Sequence, residues 1–497
     1  MQQEPFPLQI DIKKESNGLA SPYTWYLAGV ALFALVFGYW QFEPVPIETH
    51  ILGVLVFAVS LFPAVRWWKG GRQEVPMFEL VCFSFGLHHG INLYLQPNQI
   101  ELRRGLLYSL TWDSTSRALL LSALGIASLI LGHIWGKRTS ALSALPRLDL
   151  PFIPQRRGWY LALALCAGLS GRLLFTLGIV QRSDRVAALV TILTDQVPLA
   201  LFLLTYYVYQ RQMGRWWELC LYPFLLITLL IGLSTGMLDE TLSPLAVFII
   251  ARWQATRQVP WRLILVGVLI FWVLQPIKSE YRNVAWQDGE VSALSLYDRA
   301  VIWSEVISRW GDSSGGGSAN SDRNRLQEVT SRFNLLPAFS WVQGQSPDPV
   351  PYFYGASYSY LGITWVPRFL WPNKPIAQQA NIDFSLAYGF QDEEQVKSSM
   401  IGIGHIAEAY ANFGIPGIII IMWIEGLIFA ILSRVLNSPD SEGGKAIYAV
   451  IMVAFLQGIL SATAGMFSGI IQTTLMSALI FRMFTFGFRA EASGLKK

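Results

Sequence analysis

Apolar runs of about 20 residues, the length that crosses about 30 Å of hydrocarbon, recur along the chain between short polar or basic connections. They predict membrane spans near residues 24–42, 50–66, 77–96, 115–135, 159–180, 186–209, 217–236, 241–254, 261–277, 414–435, 445–462 and 465–486. The eighth, built on LSPLAVFII, is short enough to be re-entrant, and the sixth carries Asp195 and Pro198, so either can alter the count of twelve. The expected fold class is therefore all-α, a polytopic helix bundle. Residues 1–22 are polar, with Lys13 and Lys14, and no small-residue cleavage site follows the first apolar run. That run reads as a retained helix and not as a removed signal peptide.

One long interruption, residues 278–400, separates the ninth span from the tenth. The chain thus divides into a membrane bundle of nine spans (1–277), a loop domain (278–400) and a bundle of three spans (401–497). Within the loop, EVSALSLYDRAVIWSEVISRW and NRLQEVTSRFNLL space apolar residues at three and four and predict two amphipathic helices. GDSSGGGSANSD between them reads as a flexible tip. PYFYGASYSYLGITWVPRFLWPNKP mixes aromatics, prolines and two cations, which suits a shelf along the membrane interface. No internal repeat is evident, so the two-halves signature of many secondary transporters is lacking.

Charge orients the bundle, because short cytoplasmic loops are enriched in Lys and Arg. With the N-terminus inside, the inner connections are RWWKGGR, residues 136–157, QRQMGR, RWQATRQ, residues 433–445 and the tail with Arg489, Lys496 and Lys497. The outer ones include QFEPVP and GMLDET, with Arg103, Arg104, Arg182 and Arg185 as exceptions. Both termini are expected in the cytoplasm and the long loop outside it.

Composition agrees. The 497 residues are 53% hydrophobic and 14% charged, and the mean hydropathy is +0.40. One soluble core could not hide that much apolar surface. The net charge of +4 is scattered among apolar runs, which excludes the continuous basic face that nucleic acid requires. Cys82, Cys166 and Cys220 lie in apolar runs without metal or redox spacing. The many Trp, Tyr and Phe residues gather at the ends of the runs, where headgroups lie.

Ionisable groups at membrane depth are costly and tend to mark sites. Glu79, Arg172, Asp195, Glu425, Asp239 and Glu240 are the candidates here, with buried ion pairs or snorkelling as the plainer alternative. Arg172 stands in CAGLSGRLLFTLG, whose small residues allow close helix packing. Lys278 and Arg282 are four apart, so a continuing helix sets both on one face, suited to a diphosphate or to simple interfacial anchoring. Arg368 and Lys374 stand in the Pro-punctuated VPRFLWPNKP. In GHIAEAYANFGIPG, His405, Glu408 and Asn412 recur on one helical face at the mouth of a span, either as a site or as a wet helix entrance. His88 and His89 lack partners at ligand spacing, and no HExxH, Walker loop or GxSxG occurs, so no metal is expected.

Taken together, PYFYGASYSYLGITWVPRFLWPNKP and GHIAEAYANFGIPG resemble the bacterial O-antigen or oligosaccharide repeat-unit polymerases, the Wzy type, across roughly residues 270–435. The likeness rests on the pair Lys278 and Arg282. It rests also on Gly355, Tyr358, Pro367, Arg368, Trp371, Lys374 and Pro375, and on Glu408, Tyr410, Asn412, Phe413 and Gly414. Gly404-His405 departs from the small or Pro-Gly pair usual before the glutamate.

The resemblance implies a GT-C-like membrane glycosyltransferase of the bacterial inner membrane. Such an enzyme transfers a glycan from undecaprenyl diphosphate to a sugar hydroxyl of another lipid-linked repeat unit. Fixed cations would stabilise the leaving diphosphate, with Arg282, Arg368 and Arg172 first and Lys278 and Lys374 behind them. Glu408, or else His405, would take the acceptor proton. Tyr358, Trp371, Tyr410 and Asn412 would bind sugar or lipid. No nucleotide sugar, metal or other cofactor is implied, and a flippase and a chain-length regulator are the implied partners. An O-antigen ligase differs only in its acceptor and stays open, as do a transporter of lipid-linked sugars and a membrane scaffold.

Overall fold

The computed structural model describes residues 21–70, 75–181, 186–285, 294–314, 335–363, 371, 373–376, 378–438 and 441–485. These are mostly helical. Nine helices among the described residues are long and apolar enough to cross a membrane. They are α1 (Pro22–Tyr39), α2 (Ile47–Lys69), α5 (Trp112–Arg138), α7 (Pro154–Thr176), α8 with α9 (Ala187–Thr194, Gln196–Tyr209), α10 (Arg215–Ser234), α12 (Trp261–Ala285), α18 (His405–Leu436) and α20 (Thr463–Thr485). Leu27, Leu35, Leu131, Leu265 and Leu479 are exposed on the outer faces of these helices. Apolar surface on that scale belongs against lipid.

The other three expected spans are also helical but less regular. Residues 77–95 form α3 (Met77–Gly86), a π-helical turn over Leu87–Ile91, and α4 (Asn92–Leu95). α11 (Leu238–Thr256) opens on Asp239 and Glu240, and α19 (Glu442–Gly458) has only 17 residues.

α5 is the axis of the bundle, with 61% of its apolar window buried against 6% for α1. Thr111 starts it by accepting the Ser114 N–H at 3.2 Å, an N-cap worth about 1 kcal/mol. Glycines let α5 and α18 touch backbone to backbone. A Cβ on Gly132 would fall 2.0 Å from the Trp423 carbonyl oxygen, and one on Gly426 would fall 1.9 Å from that of Leu129. Small residues drive such packing in lipid, where burial of apolar surface gives no net attraction between helices. Arg66 and Lys69 in α2, Lys137 and Arg138 in α5, and Arg434 in α18 occupy the last turns of their helices, complementing the helix dipoles.

The described parts of the long interruption pack against the membrane helices. α12 runs unbroken past residue 277 to Ala285, because its apolar face continues into Ile277 and Tyr281. There it meets α13 (Leu296–Ser314), the first expected amphipathic helix, and Tyr281 stacks on Trp303 at 4.4 Å. α13 extends through Ser314 into the expected flexible tip; the remaining tip and most of the second amphipathic segment lie outside the described residues. α14 (Leu336–Gln345) sends Leu336, Phe339 and Val342 into the main core. α15 (Ala356–Ile363), α16 (Gln379–Ala387) and α17 (Gln395–Ser398) complete this region. A two-stranded hairpin, β1 (Gln99–Leu102) and β2 (Leu106–Ser109), pairs antiparallel between α4 and α5. It turns at Arg104 and Gly105, both left-handed.

Candidate functional site: a folded-back half-helix

α18 is two helices. Gly414 breaks it with φ 65° and ψ −149°, a left-handed conformation open to glycine, and Pro416 follows without an N–H. Residues 405–413 fold back along the long arm, so that a Cβ on Gly417 would fall 2.3 Å from the Ala409 carbonyl oxygen. His405 thereby meets Glu425, Nδ1 to Oε1 3.0 Å, with both side chains buried. The chain enters this half-helix through the non-helical residues 401–404, where Gly402 and Gly404 lie against the backbone of residues 459–461. Non-helical backbone at membrane depth is tolerable where protein encloses it.

The break frees carbonyls, and the residues before α15 take them up. The Phe353 N–H donates to the Ala411 carbonyl (3.0 Å) and the Tyr354 N–H to the Asn412 carbonyl (3.1 Å). The Asn412 side chain then accepts from the Gly355 N–H at 2.9 Å and donates to the Ser357 hydroxyl at 2.8 Å. Gly355 has φ 90°, and Phe413 would lie 3.1 Å from a Cβ there, so a side chain at this position would meet both strain and a neighbour.

Glu408 sits at the centre, fully buried. Oε1 accepts from the Ser357 hydroxyl (2.7 Å) and Oε2 from the Thr463 N–H (2.6 Å). Thr463 is the first residue of α20, so this carboxylate satisfies an N–H that helix geometry leaves unpaired. Tyr358 lies parallel to Phe413 and near Glu408 and Glu425. Its hydroxyl is buried with no hydrogen-bond partner among the described residues. Burial pushes its pKa well up, and the two carboxylates add to the effect. The Tyr410 hydroxyl points at the Ser346 carbonyl (3.5 Å), beside the Tyr352 ring.

His405, Glu408, Tyr358, Tyr410 and Asn412 are thus brought together, but inside the protein and not on a wet face at the mouth of a span. Ser357, Thr463 and Tyr352 complete the cluster and were not singled out by sequence. Ser357 stands only two residues from Gly355 in the motif; Thr463 carries no signal, because its backbone does the work.

Among the described residues, none of the expected cations is bonded to this cluster in a hydrogen bond or ion pair that involves Glu408 or Asn412. Arg172 in α7 feels the carboxylates of Glu240 and Asp195, and Asp195 accepts from the Thr473 hydroxyl at 3.0 Å. Lys278 is buried, and Arg282, one turn on, lays its stem beside Gly236. The two therefore share a helix face as expected. Gln457 donates to the Asp239 carbonyl at 2.9 Å, while the neighbouring Gly458 carbonyl approaches His405. Those contacts join the start of α11 to the half-helix. Trp371 is exposed and Lys374 half-buried outside any helix, while Arg368 lies outside the described residues. Among the described residues no three His, Cys, Asp or Glu side chains converge as metal ligands would.

A family model described as a domain of unknown function, DUF8712, matches residues 168–487. The chain belongs to the DUF8712 family. The matched segment begins four residues before Arg172 and contains every residue of the half-helix cluster. No curated protein and no solved structure matches.

Proposed function

We propose that this DUF8712 protein is a membrane-embedded glycosyltransferase that joins oligosaccharide repeat units carried on a polyprenyl diphosphate. The observation that carries this reading is the union of the two motif segments. Gly355 and Ser357 from one are bound to Asn412 and Glu408 from the other, across more than fifty residues of chain. Segments that resemble one enzyme family in sequence form one buried polar unit here.

In this mechanism the acceptor hydroxyl attacks the anomeric carbon of the donor glycan, and the carbon–oxygen bond to the diphosphate breaks. The diphosphate departs with the bonding electron pair, and Lys278, Arg282 and Arg368 offset its charge. The acceptor proton passes to the Ser357 oxygen as the Ser357 proton passes to Glu408 Oε1, the partner it already touches at 2.7 Å. Asn412 holds the Ser357 oxygen for this transfer. Arg172, which feels the carboxylates of Glu240 and Asp195, supports the helices around the donor and does not contact it. The long interruption and both termini take the outer and cytoplasmic sides respectively, in a bacterial inner membrane.

Reconstitution with lipid-diphosphate-linked oligosaccharide tests the proposal. Ladders of polymer are expected from the native protein and not from Glu408→Gln or Ser357→Ala. Single additions to a different acceptor, without a ladder, would favour a ligase. Transport of the lipid across the bilayer without any product would overturn the transferase reading.

A further inference from the structure

The end of the bundle opposite the half-helix carries a second polar site. α5 touches Ile406 at Gly125 and reaches Lys137 about 18 Å further along its axis. There a cleft of about 320 Å³ opens among α2, α3, α5, α18 and α19. Arg66, Lys137 and Arg138 line it, with Glu79 as the one described carboxylate, and Tyr448 and His133 on its walls. Arg66 and Lys137 both lie close enough to His133 to act on it electrostatically. A second cleft of about 200 Å³ adjoins the first and shares Lys137 and Ser433 with it. Arg147 and Arg434 are its further cations.

Other cations at this end are already occupied. Arg157 pairs with Glu442 at 2.9 Å and lies over the Tyr207 ring, and Arg252 lies over Tyr209. Arg66, Lys137, Arg138 and Arg147, by contrast, meet no carboxylate at ion-pair distance among the described residues. Trp68 and Trp135 are exposed at the same level, where aromatic rings mark the interface with lipid headgroups. Cationic pockets between helices at that depth suit phosphodiesters.

We propose that the two clefts bind the paired phosphates of an anionic phospholipid of the cardiolipin kind. One phosphate would sit with Arg66 and Arg138, the other with Arg147, and Lys137 between them. The site is independent of the transferase reading.

Thermal unfolding of the full-length protein, stripped of lipid in neutral detergent, tests this against added cardiolipin, phosphatidylglycerol, phosphatidylcholine and inorganic phosphate. Cardiolipin should raise the midpoint most, phosphatidylglycerol less and phosphatidylcholine not at all. Arg66→Gln with Lys137→Gln, and separately Arg147→Gln, should each weaken the apparent cardiolipin affinity by about tenfold, the scale of one charge-assisted hydrogen bond. Arg252→Gln, at the same end but stacked on Tyr209, should respond as the native protein does. An equal shift with phosphatidylcholine, or native responses from both cleft variants, would overturn the proposal. A full response to inorganic phosphate would support the phosphate site and overturn its lipid source. Mass spectrometry of lipid retained by the native protein needs no variant: absence of cardiolipin enrichment over phosphatidylcholine would also overturn it.

Discussion

His405 Nδ1 lies 3.0 Å from Glu425 Oε1 although 20 residues of α18 separate them. A straight helix would hold them about 30 Å apart. The pair therefore depends on the reversal at Gly414, and it clasps the short arm to the long one. Removing one member of a buried pair strands the other, at about 3–5 kcal/mol. Glu425→Gln alone should lower the unfolding midpoint sharply, and adding His405→Gln should recover part of the loss. Strictly additive losses in that double-mutant cycle would show that the two side chains do not interact.

The reversal itself can be tested at Gly414. Alanine there must adopt φ 65°, with its Cβ 2.9 Å from the Tyr352 hydroxyl. Strain of this kind costs on the order of 1–3 kcal/mol. Gly414→Ala should thus destabilise the protein in a calorimetric scan, whereas Gly29→Ala, where nothing lies within 4 Å, should not. Equal midpoints for the two would argue against the reversal at Gly414.

The contact of α5 with α18 predicts a separate failure. Gly132→Ala sets a methyl group 2.0 Å from a backbone oxygen, and backbone cannot rotate aside as a side chain can. Overpacking by one small group costs about 1–3 kcal/mol in ordinary cores. The expected result is loss of monodisperse protein on size-exclusion chromatography.

Tyr358 separates a structural role from a functional one. A buried hydroxyl without a partner costs about 1–3 kcal/mol, so Tyr358→Phe should hold or raise the midpoint. Its folded-state pKa is raised, so the neutral phenol contributes stability below its unfolded value of about 10, and that contribution is lost as pH climbs further. The variant should accordingly lose less stability than the native protein above that pH. In the reconstituted transfer assay it should also be slower, if the hydroxyl is kept for a ligand; unchanged turnover would assign Tyr358 to packing alone.

The nine long apolar helices were legible because lipid imposes long apolar runs, and basic residues in the last turns of several mark where they end. The half-helix was not. GHIAEAYANFG leads without a polar gap into IPGIIIIMWIEG, so hydropathy reads one entrance to one span. Gly414 and Pro416 signal a break but not its direction, which is set by Phe353 and Tyr354 supplying N–H groups from a distant segment. The hairpin of Gln99–Ser109 was missed for a similar reason: Arg104-Gly105 is a turn signal hidden between two long apolar runs. Within the site, the acid, the amide and the histidine were visible as residue types. What Glu408 touches was not, since one of its two partners is a main-chain N–H.

The glycine seam has a consequence for biogenesis. α5 leaves the ribosome long before α18, because residue 132 must wait for residues 423 and 426. During that interval the groove along α5 has no native neighbour, and lipid or insertase must fill it. Chains arrested after α12 would carry an open seam down the middle of the bundle, a feature by which quality-control proteases can tell an unfinished copy from a finished one.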